Sequence, residues 1–125
     1  MQYVNMYDLE GTEYPAGRLS RVLVGDTGAL QGENFVQGYS IIYPNCGIPE
    51  HDHPVEETYF IFSGNGYIIV NDETRDVMPG SLVLIPPGHK HRLFNSGDTD
   101  MHMMYVYSPK IIVDHWKQEL SGELK

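Results

Sequence analysis

Short apolar runs separated by turn residues dominate the sequence. Closely spaced glycines (13) and prolines (8) divide it into segments rich in Val, Ile, Tyr and Phe. Such segments are typical of β-strands, and frequent turns between them indicate a barrel or a sandwich. The pattern predicts strands at residues 22–25, 35–43, 58–62, 67–70, 81–85, 91–94 and 101–107. Turns are predicted at residues 64–66, 71–73 and 95–98.

The C-terminal segment, residues 110–120 (KIIVDHWKQEL), has helical spacing, with Gly122 as a stop. We expect its apolar face to pack on the barrel or on a neighbouring subunit.

Length and charge limit the classes of partner. The 125 residues are enough for one domain, and the formal charge of −9 opposes binding to nucleic acid or to an anionic membrane. No apolar run approaches the ~20 residues that span a bilayer, and the N-terminus lacks a signal-peptide pattern. Cys46 is the single cysteine, so an internal disulfide is excluded. We expect a cytoplasmic protein whose partner is a small molecule.

Residues 50–60, EHDHPVEETYF, concentrate imidazole and carboxylate groups. His51 and His53 would point to the same face of an extended strand. On one straight strand Glu57 would lie ~20 Å from His51, too far to share a metal ion with it. A reversal at residues 54–56, where Pro54 interrupts a strand, would bring Glu57 back beside the pair. Without that reversal, these are solvated polar residues at the end of a strand.

These residues also carry a resemblance to the cupin superfamily, whose small β-barrels are marked by two motifs. The first, G(X)5HXH(X)3–4E(X)6G, is matched at His51, His53, Glu57 and Gly64, with Asn45 in place of its first glycine. The second, G(X)5PXG(X)2H(X)3N, is matched within residues 80–95, GSLVLIPPGHKHRLFN, at Gly80, Pro86, Gly88, His91 and Asn95.

The resemblance implies an all-β, single-domain fold over residues 1–125: a double-stranded β-helix, or jelly-roll barrel, with a short C-terminal helix. Residues 35–108 would form the barrel with both motifs. Residues 1–34 would add N-terminal strands and an arm, and residues 109–125 the helix and tail.

The same resemblance implies that four side chains bind a metal: His51, His53, Glu57 and His91. Three imidazoles and one carboxylate suit one divalent transition metal, Mn, Fe, Ni, Co or Zn, and the sequence does not choose among these. If the ion is six-coordinate, two positions stay open for water or a chelating substrate. His89 forms a second His-x-His with His91, but the motif assigns the ligand role to His91, so we expect His89 to line the mouth of the site.

Three residues are candidates for catalysis beside the ion: Tyr59, His89 and His102. Tyr59 shares the strand parity of Glu57 and should point inward. His102 belongs to one of two alternating sets, 102/104/106 or 101/103/105/107, either of which could face inward. If its set faces inward, His102 is the best general acid or base. Arg18 and Arg21 could clamp a carboxylate or phosphate, although surface ion pairs are the simpler expectation.

Three functions remain open from sequence. The first is a redox-neutral metalloenzyme (isomerase, decarboxylase or lyase) acting on a small sugar, uronate, or hydroxy or keto acid. The second is an Fe-dependent dioxygenase, and the third is a non-catalytic small-molecule binder. The same fold and the same four metal ligands could serve all three functions. A homodimer is also predicted, with contacts from residues 1–9 and from the segment around Trp116.

Overall fold

The computed structural model describes residues 1–111 and 113–125 and consists of two antiparallel sheets. The strands are β1 (Thr12–Tyr14), β2 (Arg18–Val24), β3 (Val36–Ile42), β4 (Gly47–His51), β5 (Glu56–Ser63), β6 (Gly66–Val70), β7 (Glu73–Val77), β8 (Leu82–Ile85), β9 (His91–Asn95) and β10 (Met101–Ser108). A 3-10 turn covers Met6–Asp8, and helix α1 covers His115–Leu120. The larger sheet has the order β1-β2-β3-β10-β5-β8 and the smaller the order β4-β9-β6-β7.

The core lies between the two sheets because their strands alternate buried and less buried residues. In β10 the buried set is Met101, Met103, Tyr105 and Tyr107. The smaller sheet contributes Ile48, Ile68, Val77 and Leu93 to the same cluster. This arrangement confirms the predicted all-β cupin-type barrel.

All seven predicted strands are present, and three further strands were missed. β7 is polar along its length, with Val77 as its buried residue. β4 contains Gly47 and Pro49, which are weak strand signals, and β1 has three residues. The predicted turn at residues 71–73 is tighter than expected, because Val70 pairs directly with Glu73. Asn71 has a positive φ of 50° there, a conformation that Asn tolerates.

Helix α1 is shorter than predicted and presents an unexpected face to the barrel. Residues 110, 111, 113 and 114 of the predicted helix are not helical, and residue 112 lies outside the described residues. The buried residues of α1 are the polar His115 and Glu119, whereas Leu120 is half exposed. Trp116 packs on the barrel near Tyr105 and Tyr107, as expected for an apolar face, whereas for Leu120 packing on a neighbouring subunit stays a prediction.

The larger sheet has two more strands than the smaller one, so part of its inner face needs another cover. Arg18, at the start of β2, is buried on the same face of the strand as Ser20. Its side chain binds Glu119 of α1. Helix α1 thus covers the inner side of β2 beside the core. No helix in the described part of the chain is long and apolar enough to span a membrane.

Candidate metal centre

Four different segments bring the predicted ligands together between the sheets. His51 ends β4 and lies directly opposite His91, the first residue of β9, in the smaller sheet. Glu57 comes from β5 of the larger sheet. His53 lies in the connection between β4 and β5, where the chain reverses as predicted around Pro54. The reversal gives Glu57 access to both histidines.

The four side chains form a compact, buried cluster. Their ligand atoms all lie within 4.8 Å of one another, close to the ~4–4.4 Å that separates opposite donors on one ion. The exposed fractions are 7% for His51, 6% for His53, 5% for Glu57 and 1% for His91. Glu57 Oε1 is 3.0 Å from His53 Nε2 and 3.5 Å from His91 Nε2.

Hydrogen bonds on the far side of two rings orient their donor atoms. His51 Nδ1 donates to the Pro49 carbonyl at 2.8 Å, and His91 Nδ1 donates to the His89 carbonyl at 2.9 Å. A carbonyl can only accept, so each Nδ1 carries the proton and each neutral ring keeps a lone pair on Nε2. Both Nε2 atoms are buried without a hydrogen-bond partner among the described residues. Two inward lone pairs beside a carboxylate fit a cation.

The protonation of the cluster also suits metal binding. Burial, reinforced by His115 and His91, lowers the pKa of His51 far below 6.5, so its ring is neutral. Burial would raise the pKa of Glu57, but the hydrogen bond and charge of His53, together with the nearby His91, outweigh it and hold that pKa below its ordinary value. Burial would lower the pKa of His53, but its bond to Glu57 raises it. His53 and Glu57 therefore share a proton that a metal ion would displace.

Tyr59 points inward, as predicted. It is 3% exposed, and its ring centroid lies 5.9 Å from that of His91. Burial and the nearby Glu57 carboxylate raise the pKa of Tyr59 well above 10, so the phenol keeps its proton.

The other two catalytic candidates lie elsewhere. The inward set of β10 is 101/103/105/107, so His102 is on the outer face of the sheet, where its Nδ1 is 2.9 Å from the Tyr39 hydroxyl. His102 therefore faces away from the cluster and cannot act as its general acid or base. His89 lines a separate cleft between β7 and β8, and it serves the cluster through the backbone carbonyl that accepts from His91.

A second group of residues, which the sequence reasoning missed, touches the cluster from α1. The His115 ring stacks on His51, with centroids 3.7 Å apart and planes inclined by 18°. His115 Nδ1 lies 2.9 Å from Glu119 Oε2. Arg18 binds both oxygens of Glu119, at 2.5 and 2.9 Å. The surface ion pair expected for Arg18 was therefore wrong, because this arginine is 2% exposed.

A cavity of about 540 Å³ lies beside the cluster, between β2, the end of β10 and α1. Tyr107 links the two: it lines the cavity, and its ring stacks 6.2 Å from that of His53. Trp116 and Val36 add apolar wall, and Arg21 and Lys117 also line the cavity. Its volume lies in the range typical of small-molecule sites.

Comparison with known proteins agrees with this architecture. The sequence matches the Cupin domain family over residues 38–107. An uncharacterized protein of Streptomyces coelicolor is 39% identical over 80 residues, which are 64% of this chain and 75% of that protein. The dimethylsulfoniopropionate lyase DddQ of Ruegeria pomeroyi is 32% identical over 72 residues, 55% of this chain and 35% of the lyase.

Solved structures show the same fold. The crystal structure of DddQ superposes with a TM-score of 0.73 at 20% identity, covering 91% of this chain and 58% of that one. KdgF from a Halomonas species gives a TM-score of 0.74 at 12% identity, covering 89% of this chain and 94% of that one. With its family match, its two-sheet barrel and its buried three-histidine, one-glutamate cluster, the chain belongs to the cupin family.

Proposed function

We propose that the protein is a metal-dependent enzyme of redox-neutral type that acts on a small, oxygen-rich, anionic metabolite. One observation carries the proposal: the Nε2 atoms of His51 and His91 are buried without a hydrogen-bond partner among the described residues, in a cluster whose ligand atoms, with those of His53 and Glu57, all lie within 4.8 Å of one another. His51, His53, Glu57 and His91 would hold one divalent transition metal, Mn, Fe, Ni, Co or Zn.

A divalent ion bound there would polarise a substrate oxygen and ease the loss of a proton or a leaving group. Tyr59 would supply a hydrogen bond, because its raised pKa keeps the hydroxyl a donor. Tyr107 and Trp116 would hold the body of the substrate in the adjoining cavity.

Charge around the cavity favours an anionic substrate such as a uronate or a hydroxy or keto acid. The whole chain carries −9, yet Arg21, Lys110 and Lys117 line this one cavity. Lys110 is engaged by Asp26 at 2.9 Å, and Glu10 also lines the cavity, so Arg21 and Lys117 leave a small positive excess to attract a carboxylate. The likeness to DddQ, a dimethylsulfoniopropionate lyase, supports a lyase within the redox-neutral class.

The test is turnover by protein stripped with a chelator and then reloaded with each of the five metals. Uronates and hydroxy and keto acids are supplied, products are followed by NMR, and dissolved oxygen is recorded. We expect product without oxygen uptake, loss of product in His91→Ala and normal turnover in the control His102→Ala. Oxygen uptake in step with product would show a dioxygenase, and ligand binding without turnover for every metal would show a non-catalytic binder; either result overturns the proposal.

The homodimer stays a prediction, with one change. Trp116 packs on the inward Tyr105 and Tyr107, so within the helix around it the exposed Leu120 would make the contact. Tyr3 and Tyr7 of the N-terminal segment are exposed and remain candidates. Light scattering at micromolar concentration decides, and a monomeric mass would contradict the prediction.

A further inference from the structure

The side of helix α1 that enters the protein is polar. His115 is 8% exposed and Glu119 1% exposed, while Leu120 on the same helix is 50% exposed. A six-residue helix is too short to be stable alone, so its position depends on contacts with the barrel. His115 contacts His51 of the metal cluster, and Glu119 contacts Arg18 of β2.

These contacts form an unbroken chain from β2 to a metal ligand. Arg18 donates two hydrogen bonds to Glu119, and Glu119 accepts a third from His115 Nδ1. The His115 ring then stacks on the His51 ring at 3.7 Å. The stack restrains the tilt of the His51 ring, and the Nδ1 bond to Pro49 fixes its rotation in plane.

Stability alone is a poor reason for such a chain. Apolar residues of similar volume stabilise a protein as well as, or better than, a buried ion pair. A residue that holds a ligand ring in its binding orientation has a different effect, since it lowers the ordering cost when the metal binds.

We propose that His115 is a positioning residue for the metal ligand His51, and that the Arg18–Glu119–His115 chain couples the docking of α1 to occupation of the metal centre. The proposal rests on the metal centre proposed above. Coupling of this kind is reciprocal: if the docked helix strengthens metal binding, bound metal must strengthen helix docking by the same factor.

The test for affinity is Zn²⁺ binding, measured by competition with a chromophoric chelator. His115→Ala removes both the stack and the bond to Glu119, and we expect its Zn²⁺ dissociation constant to rise about 10- to 100-fold, the usual effect of losing a residue that orients a ligand. His115→Phe keeps a flat ring on His51 and should show a smaller rise. Gln118→Ala, a half-buried position of the same helix to which no role in the site is assigned, is the matched control and should bind as the wild type does.

The test for coupling uses the helix itself as reporter. Trp116 is the only tryptophan of the chain, and its ring lies 5.8 Å from His115. We expect Zn²⁺ to change Trp116 emission and to slow amide exchange over His115–Leu120 in the wild type, and to do neither in His115→Ala. The visible spectrum of bound Co²⁺ should also differ between wild type and His115→Phe, which a purely structural role of His115 would leave unchanged.

The outcomes separate the two proposals. If the wild type binds Zn²⁺, His91→Ala does not, and both His115 variants bind within twofold of the wild type, the positioning role is overturned and the metal centre stands. If the wild type itself fails to bind Zn²⁺, Co²⁺ and the other three metals, both proposals are overturned. Circular dichroism establishes whether each variant is folded. If His115→Ala does not fold, His115→Phe provides the decisive comparison.

Discussion

Replacing Arg18 by methionine should be among the most damaging single changes to the stability of the barrel. Arg18→Met keeps a long unbranched side chain at this position but removes both hydrogen-bond donors to Glu119. Glu119 is 1% exposed, and in the described chain the hydrogen bond from His115 would be the side-chain hydrogen bond left to its carboxylate. Arg18 also lies 4.0 Å from the centre of the Tyr14 ring, and this cation–π contact is lost too.

The magnitude follows from burial. Removing one partner of a buried ion pair costs about 3–5 kcal/mol because the other charge stays uncompensated. The remaining His115 bond, and the freedom of a short helix to swing toward water, place the expected loss near the lower end, about 3 kcal/mol. For a chain of this length such a loss lowers the melting temperature by roughly 10 °C.

The assay is urea unfolding of chelator-treated protein, followed by circular dichroism. Arg75→Met is the matched control: the Arg75–Glu73 pair is 3.2 Å long but its side chains are 74% and 68% exposed, so we expect a loss below about 1 kcal/mol. Arg18→Met with Glu119→Leu should recover much of the loss, because no buried charge is left. The reasoning is refuted if Arg18→Met costs no more than Arg75→Met, or if the double variant is as unstable as the sum of the single ones.

Three further predictions test other parts of the structure. Gly17→Ala should destabilise the protein by several kcal/mol, because φ is +101° and a Cβ would lie 2.3 Å from Cys46 Sγ. Gly80→Ala, with φ of +92° and no atom within 4 Å of the added Cβ, should lower the unfolding free energy by only about 1–2 kcal/mol through backbone strain. Equal losses for the two variants in urea unfolding would contradict this. His53→Ala should lose most of its metal by elemental analysis and keep a native circular dichroism spectrum, whereas His89→Ala should keep the metal; loss in His89→Ala would show that the wrong histidine was named. The histidines should give the metal-free protein its greatest stability near pH 6.5. Burial lowers the pKa of His51 and His115 below 6.5, so the unfolded chain takes up protons there first and stability falls as pH falls below 6.5. For His53 burial lowers the pKa, but the hydrogen bond and charge of Glu57 and the backbone hydrogen bonds together raise it above its ordinary value, so its contribution is complete below 6.5 and is lost as pH rises through the folded value. Unfolding free energies at pH 5, 6.5 and 8 check this, and a decline above pH 6.5 that persists in His53→Gln would count against it.

The strands were predictable because their signals are local, whereas the set of four candidate metal ligands, His91 included, was predictable from the resemblance to the cupin motifs. Val, Ile, Tyr and Phe between turn residues mark the buried strands. His51 and Glu57 can meet only if the chain reverses between them, and Pro54 indicates that reversal because it interrupts a strand. β7 was missed because a strand at the edge of a sheet can be polar on both faces, so its residues show no alternation. The facing of β10 was undecided because Met and Tyr in one set and Met and Val in the other are both apolar enough to be buried.

The contribution of the C-terminal helix was beyond local signals, and the reason is physical. The i, i+4 spacing of His115 and Glu119 shows that they share a helix face, but not which face turns inward. Arg18 and Glu119 are 101 positions apart, so their pairing depends on how the finished barrel presents β2. A hydrophobicity argument would place Leu120 inside and Glu119 outside, the reverse of the structure. Two polar residues can displace a leucine from the interior only where their partners are already fixed, and here Arg18 and the ring of His51 are those partners. The orientation of the helix is therefore set by the Arg18 charge and the His51 ring, both of which belong to the barrel. Variants of Arg18 or His51 should disturb α1 more than variants of its own exposed residues.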